Sequence, residues 1–327
     1  MAILFRVLKW VGMLLVLLTG GIVATIFIRH DQTFEAPYPD IHASTDSAVI
    51  ARGRYLAYGP AHCSGCHSPL SNWERIAAGE ELPMEGGFVF ELPIGKFYPT
   101  NLTPHQTGIG KMTDQDIARA LRYGVGYDGR ALLDLMPFHN LSDEDLTAVI
   151  SFIRSQPPVE RAVPANEKNF MGKAIFALAI KPVGPEGSGE VPHSVAADTT
   201  AKYGEYLANF VANCRGCHTN RDLKTGAYIG EYYAGGFLMP SAVHPGMACM
   251  TPNLTPDPET GHIASWTEEQ FIARFRQGRI IPSSEMPWEQ FQRMSDQDLK
   301  AIYQYIQTLK PVKNEVKTIV HQLAEQR

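Results

Sequence analysis

The chain has 327 residues, 44% of them hydrophobic, and a formal net charge of −5 from 29 Lys and Arg against 34 Asp and Glu. That length suits two domains, each large enough to bury a core, and the hydrophobic content excludes a disordered chain. Without a basic excess the chain does not read as a nucleic-acid protein, which needs Lys and Arg to displace phosphate counterions.

Residues 1–31 read as an N-terminal transmembrane anchor. Trp10 to Ile28 is a run of 19 uncharged residues, about 28 Å of helix and close to the thickness of a bilayer core. A cleaved signal peptide is the alternative; it would have a shorter apolar region and a small-x-small cleavage site, and the residues after Ile28 (Arg, His, Asp, Gln, Thr, Phe) offer none. Arg6 and Lys9 precede the run while Arg29 follows it close to Asp31, Glu35 and Asp40, so the positive-inside tendency places the remainder outside the cytoplasm.

Residues 45–160 form a first unit. A helix runs to Tyr58-Gly59 and into Cys63-Ser-Gly-Cys66-His67; a Gly- and Pro-rich stretch with Asn101-Leu-Thr-Pro104 follows. Thr113 and Asp116 have the form of a capping box opening a helix with Ile117, Ala120 and Leu121 on one stripe. After Met136-Pro137-Phe138, Ser142 and Asp145 make a second box, and Leu146, Val149, Ile150 and Ile153 give the last helix its apolar face. Residues 161–195 are a linker with a short apolar helix over 170–180, which contains Lys173 and is too short to cross a bilayer, so it reads as packed or interfacial.

Residues 196–312 repeat the first unit. Arg52-Gly-Arg-Tyr-Leu-Ala57 matches Tyr203-Gly-Glu-Tyr-Leu-Ala208, and Cys214-Arg-Gly-Cys217-His218 repeats the cysteine frame. Gly86-Gly87-Phe88 matches Gly235-Gly236-Phe237, and Asn101-Leu-Thr-Pro104 matches Asn253-Leu-Thr-Pro256. Thr113 matches Thr267, Met136-Pro137 matches Met286-Pro287, and Ser142-Asp-Glu-Asp-Leu146 matches Ser295-Asp-Gln-Asp-Leu299. The period is too long for a solenoid; this is a duplicated domain of about 110 residues, followed by a tail over 313–327. Each unit has little regular apolar core for its length, as expected of a domain filled by a large flat cofactor.

Five cysteines are too few to staple the chain, and four of them lie in the two repeated frames. Cys-x-x-Cys-His is the attachment signature of c-type haem: two thiols three apart lie on one face of a helical turn and bond the porphyrin vinyls, which fixes the next histidine beneath the iron. A zinc site would need further Cys or His at matching spacing. The reading is therefore two covalent c-type haems, held by Cys63 and Cys66 and by Cys214 and Cys217, with His67 and His218 as proximal iron ligands. Met136 and Met286, each followed by proline at matching places in the repeat, are the candidates for the opposite axial position. His105, His139, His244 and His262 do not recur in register. Cys249, the odd cysteine, reads as a small core residue. No catalytic residue is proposed: no acid–base pair, phosphate loop or nucleophile elbow appears.

With these motifs in place the chain resembles the cytochrome c subunits of bacterial membrane-bound alcohol, aldehyde and gluconate dehydrogenases. The resemblance is carried by Ile94-Gly-Lys-Phe-Tyr-Pro-Thr-Asn-Leu-Thr-Pro104, Thr107-Gly-Ile-Gly110, Met136-Pro-Phe138 and Ser142-Asp-Glu-Asp-Leu146 with their second-unit counterparts. It implies an all-α fold, an N-terminal transmembrane helix followed by two tandem class I cytochrome c-like domains. It also implies ligation by His67 with Met136 and by His218 with Met286. The expected role is a membrane-tethered electron carrier on the periplasmic side of the bacterial inner membrane. Its partners would be a dehydrogenase or quinol-oxidising complex on one side and a terminal oxidase or small cytochrome on the other, with no nucleic acid. Such subunits commonly carry three haem units and a C-terminal membrane attachment, whereas two units and an N-terminal anchor are read here, so a free-standing shuttle or a subunit of another respiratory complex fits equally. The competing class is a dihaem enzyme, a peroxidase or thiosulfate dehydrogenase, which would need an openable iron position that the paired Met-Pro argues against.

Overall fold

The computed structural model describes residues 1–187, 189–222 and 226–323; the last four residues of the expected tail, 324–327, lie outside them. Helix α1 (Ala2–Arg29) is exposed along nearly all its length, and its Ile3–Arg29 segment is long and apolar enough to cross a membrane. The first half follows with α2 (Ser47–Tyr58), the cysteine turn α3 (Cys63–Cys66), α4 (Trp73–Ala77), a hairpin of β1 (Phe90–Leu92) and β2 (Gly95–Phe97), α5 (Asp114–Tyr123) and α6 (Asp143–Ser155). Strand β3 (Glu167–Lys168) and α7 (Phe170–Leu178) lie between the halves. The second half has α8 (Ala201–Tyr206), continued by a π-helical turn over Leu207–Val211, then α9 (Cys214–Cys217) and a hairpin of β4 (Leu238–Pro240) and β5 (Met247–Met250). It ends with α10 (Glu268–Arg276), α11 (Trp288–Phe291), α12 (Asp296–Thr308) and β6 (Val320–Gln322).

Each half is framed by the crossing of its first and last long helices, and a glycine sets the distance. A Cβ on Gly53 in α2 would run into the Ala148 carbonyl of α6, and a Cβ on Gly204 in α8 into the Ala301 carbonyl of α12. Around these crossings Leu56, Leu146 and Ile150 in one half and Leu207, Leu299 and Ile302 in the other are fully buried, within one apolar cluster that spans both halves. Each such side chain stabilises the fold by about 1.5–3 kcal/mol.

The caps of α5 and α10 form as read: the Thr113 amide donates to Asp116 Oδ2 (2.9 Å) and the Thr267 amide to Gln270 Oε1 (2.9 Å), each closing a reciprocal box. The boxes expected at α6 and α12 are only half made. Ser142 Oγ accepts from the Asp145 amide, but the Ser142 amide donates to the Tyr206 hydroxyl (3.1 Å), which itself donates to Asp145 Oδ2 (2.8 Å). The mirror arrangement holds α12: the Ser295 amide donates to Tyr55 Oη (2.9 Å) and Tyr55 donates to Asp298 Oδ2 (2.6 Å). Tyr55 and Tyr206 are equivalent positions, so each half completes the other's cap. Arg52 adds a fork onto Asp145, at 2.8 and 3.0 Å. The carboxylates that would have closed the boxes are recruited to the joint between the halves.

The all-α expectation is corrected by two small antiparallel sheets, ordered β1-β2-β3 and β4-β5-β6. Phe90 faces Phe97 in one and Leu238 faces Met250 in the other; β3 and β6 add the third strands from the segments expected to be linker and tail. Strands of two to four residues show too little alternation to be read from sequence. Cys249 is buried in β5, its Sγ 3.4 Å from Ser283 Oγ.

Candidate functional site

Each cysteine turn starts from a left-handed residue that is not glycine, His62 at φ 42° and Asn213 at φ 53°. This uncommon conformation reverses the chain sharply into a single helical turn, and both turns deliver Cys, Cys and His in sequence. His67 and His218 are both buried.

The orientation of the two imidazoles is set by the Asn-Leu-Thr-Pro loops. His67 Nδ1 lies 2.7 Å from the Thr100 carbonyl and His218 Nδ1 3.1 Å from the Pro252 carbonyl, the residues immediately before Asn101 and Asn253. A carbonyl can only accept, so Nδ1 carries the proton and Nε2 keeps its lone pair, which is how a metal-ligating histidine is held. Burial drives both imidazoles toward the neutral form against those bonds, His218 down to about 4. The loops are locked in turn. Asn101 Nδ2 donates to the Val159 carbonyl (2.9 Å) and its Oδ1 accepts from the Thr103 amide (2.9 Å); Asn253 does the same with Val312 (2.8 Å) and Thr255 (2.9 Å). The motif thus ties the chain after the last helix of each half to the loop that aims the histidine. Sequence reading singled it out as regular without seeing this use, which lies in the backbone carbonyl preceding the motif.

Burial pushes the Cys63 and Cys214 thiols up to about 12 and the Cys66 thiol up to about 11, with the Glu285 carboxylate adding to Cys66. The Cys217 thiol is also raised by burial, with Arg221 opposing and Glu285 adding. One carboxylate therefore acts on both turns. Among the described residues no group of three or more His, Cys, Asp or Glu is placed to hold a metal ion.

Met136 and Met286 sit in matching turns: the Met136 carbonyl accepts from the Phe138 amide and the Met286 carbonyl from the Trp288 amide, both at 2.8 Å. Both methionines are half-buried against the same apolar cluster as Cys63 and Cys214. Arg279 secures the second turn, donating to the Met286 carbonyl (3.2 Å) and through a fork to Glu289 (2.6 and 2.7 Å). The rival His139 has both ring nitrogens engaged, by the Leu121 carbonyl and Asp134, each at 3.0 Å. The Tyr228–Tyr233 patch divides: Tyr233 is buried and donates to Asn209 (2.6 Å), while Tyr228 and Tyr232 face outward.

The residues present fit a covalently held porphyrin. Two thiols three apart, a buried imidazole with its lone pair on Nε2, and a Met-Pro turn packed on the shared apolar cluster recur in both halves. Trp73 Nε1 and Arg221 Nε, which follow the two turns in the chain, are buried donors with no hydrogen-bond partner among the described residues.

Residues 202–310 match the family model described as Cytochrome c. The second half is a cytochrome c domain, and such a domain implies covalently bound c-type haem. Across its length the chain is similar to the fructose dehydrogenase cytochrome subunit of Gluconobacter japonicus, 29% identical over 324 residues, covering 95% of this chain and 61% of that protein. It is similar also to the cytochrome c subunit of the quinone alcohol dehydrogenase of Gluconobacter oxydans (strain 621H), 30% identical over 288 residues, covering 82% of this chain and 56% of that one. A diheme cytochrome c-type protein of Cereibacter sphaeroides is 25% identical over 271 residues and is covered to 84%. The chain thus resembles the cytochrome c subunits of bacterial dehydrogenases while spanning about six tenths of the length of the two dehydrogenase subunits.

Proposed function

We propose that this protein is a membrane-tethered dihaem cytochrome c that carries electrons from a dehydrogenase or quinol-oxidising complex to a downstream acceptor such as a terminal oxidase. The observation that carries the reading is the doubling of the whole ligand set: in each half an imidazole aimed by a carbonyl and a Met-Pro turn packed on the same core. Haem bound there supplies a one-electron iron couple. Cys63 and Cys66, and Cys214 and Cys217, would hold it covalently. His67 and His218 would present Nε2 to the iron, with Thr100 and Pro252 fixing the ring plane, and Met136 and Met286 would close the other side with thioethers that favour the reduced state. A fully ligated iron leaves no position for peroxide, which favours a carrier over a peroxidase. Helix α1 would hold the haem halves on the periplasmic face of the inner membrane. Carbon monoxide tests the reading: the reduced native protein is expected to keep its spectrum under the gas, and ready formation of an adduct would overturn the carrier assignment. Subunits retained through detergent extraction and purification would identify the partner class, with a dehydrogenase expected.

A further inference from the structure

We propose that α7 lies in the outer surface of a lipid bilayer beside the exit of α1, so that the first half is seated on the membrane rather than hung from a free tether. The inference rests on α1 being a retained span. Five contacts bind α7 and β3 to the end of that span. The rings of Phe27 and Phe170 are 6.4 Å apart, and Lys173 Nζ lies 4.8 Å from the Phe27 ring. Lys168 Nζ donates to the His30 carbonyl (2.8 Å) and to Asp31 Oδ1 (2.7 Å), and Gln32 Nε2 donates to the Phe176 carbonyl (3.4 Å).

The opposite side of α7 is pinned to the first half. Phe176 is buried and stacks on Phe97 at 5.9 Å, and a Cβ on Gly172 would run into the Ile94 carbonyl. What α7 leaves uncovered is apolar: Phe170, Met171 and Leu178 are 50–60% exposed. These side chains continue the exposed apolar surface of α1 at Phe27 and Ile28, within one turn of the end of the span. Lys173, Lys181 and the exposed Arg29 accompany them, matching anionic headgroups. A short helix with one face pinned to protein and an apolar face level with a membrane exit has the form of an interfacial helix. Exposed apolar patches of this kind are otherwise avoided in water, and continuity with α1 makes lipid the occupant.

The test uses the full-length holoprotein in phosphatidylethanolamine–phosphatidylglycerol vesicles doped with a phospholipid carrying a diazirine on its acyl chain, with adducts mapped by peptide mass spectrometry after illumination. Adducts are expected on α1 and on the 170–178 segment, and none on the exposed Tyr228–Tyr232 surface of the second half. The exposed-site variant Phe170→Asp/Met171→Asp should lose the adducts on 170–178 while keeping those on α1. Adducts on α1 alone in the native protein would overturn the proposal and leave the anchor standing. Adducts on neither segment would overturn the anchor as well.

Discussion

The two halves share a frame and differ in how its methionine side is covered. Both have the glycine-spaced helix crossing, the Asn clamp, the carbonyl-aimed histidine and the Met-Pro turn. From Met136 the first half reaches its last helix at Ser142 directly; from Met286 to Ser295 the second half has three more residues, and these build α11. That helix and the turn after it cross the joint: Phe291 lies 5.6 Å from the His62 ring, Gln290 Nε2 is 3.4 Å from Ser64 Oγ, and Arg293, just past the helix, donates to Glu81 (2.7 Å). The second half's methionine loop is thereby braced against the first half's cysteine turn. The elements that aim the proposed ligands recur in both halves while the cover differs, so two similar candidate sites have unlike surroundings.

The largest expected effect separates the sites. Met136→Ala or Met286→Ala should each lower the potential of one haem by on the order of a hundred millivolts, within the ~0.8 V that axial ligands span. Spectroelectrochemical titration would read this; both couples shifting together, or neither, would break the assignment of one methionine to each half.

Next in size is the joint. Arg52→Ala leaves the buried Asp145 without its fork and should cost about 3–5 kcal/mol, whereas Tyr55→Phe removes one donor from Asp298 and should cost about 1–3 kcal/mol. Denaturant unfolding of the holoprotein gives both. Equal losses would show that Arg52 does not make the two caps unequal.

A smaller difference concerns the histidines. The bond from His67 to Thr100 is shorter than that from His218 to Pro252, and a stronger bond at Nδ1 makes the imidazole a more basic ligand. The haem of the first half should have the lower potential by roughly tens of millivolts if other terms are equal, and with Met286→Ala the order should invert. An unchanged order in that variant would place the difference elsewhere.

The smallest effect is on pH. Burial acts to raise the Asp31 carboxyl, but Lys168 and Arg130 outweigh it and hold it at about 2. A depressed carboxyl contributes stability that is present above its ordinary value near 3.8 and is lost as the pH falls toward 2. The hydrogen-exchange protection of β3 and α7, corrected for the intrinsic pH dependence of amide exchange, should therefore be flat from neutrality to about pH 4 and fall below it, and Asp31→Asn should remove that fall. A loss of protection already near neutrality would exclude Asp31 as its cause.

Local grammar made much of this legible. Cys-x-x-Cys-His, the Met-Pro pairs and the Thr113 and Thr267 caps depend on neighbours within four residues, and the repeat doubled each signal. What escaped depends on distant partners. Tyr55 and Tyr206 read only as matching positions of the repeat, and only the meeting of the halves turns them into caps for Ser295 and Ser142. The carbonyls of Thr100 and Pro252 have no side-chain signature. The strands β3 and β6 are too short for their alternation to register, and pairing with a hairpin some seventy residues away defines them.

The central claim, one covalent haem in each half, is tested most directly by the intact mass of the denatured full-length protein purified from membranes. The account predicts the polypeptide plus two haems, falling to one in Cys63→Ser/Cys66→Ser and likewise in Cys214→Ser/Cys217→Ser. A native mass carrying one haem or none would contradict it.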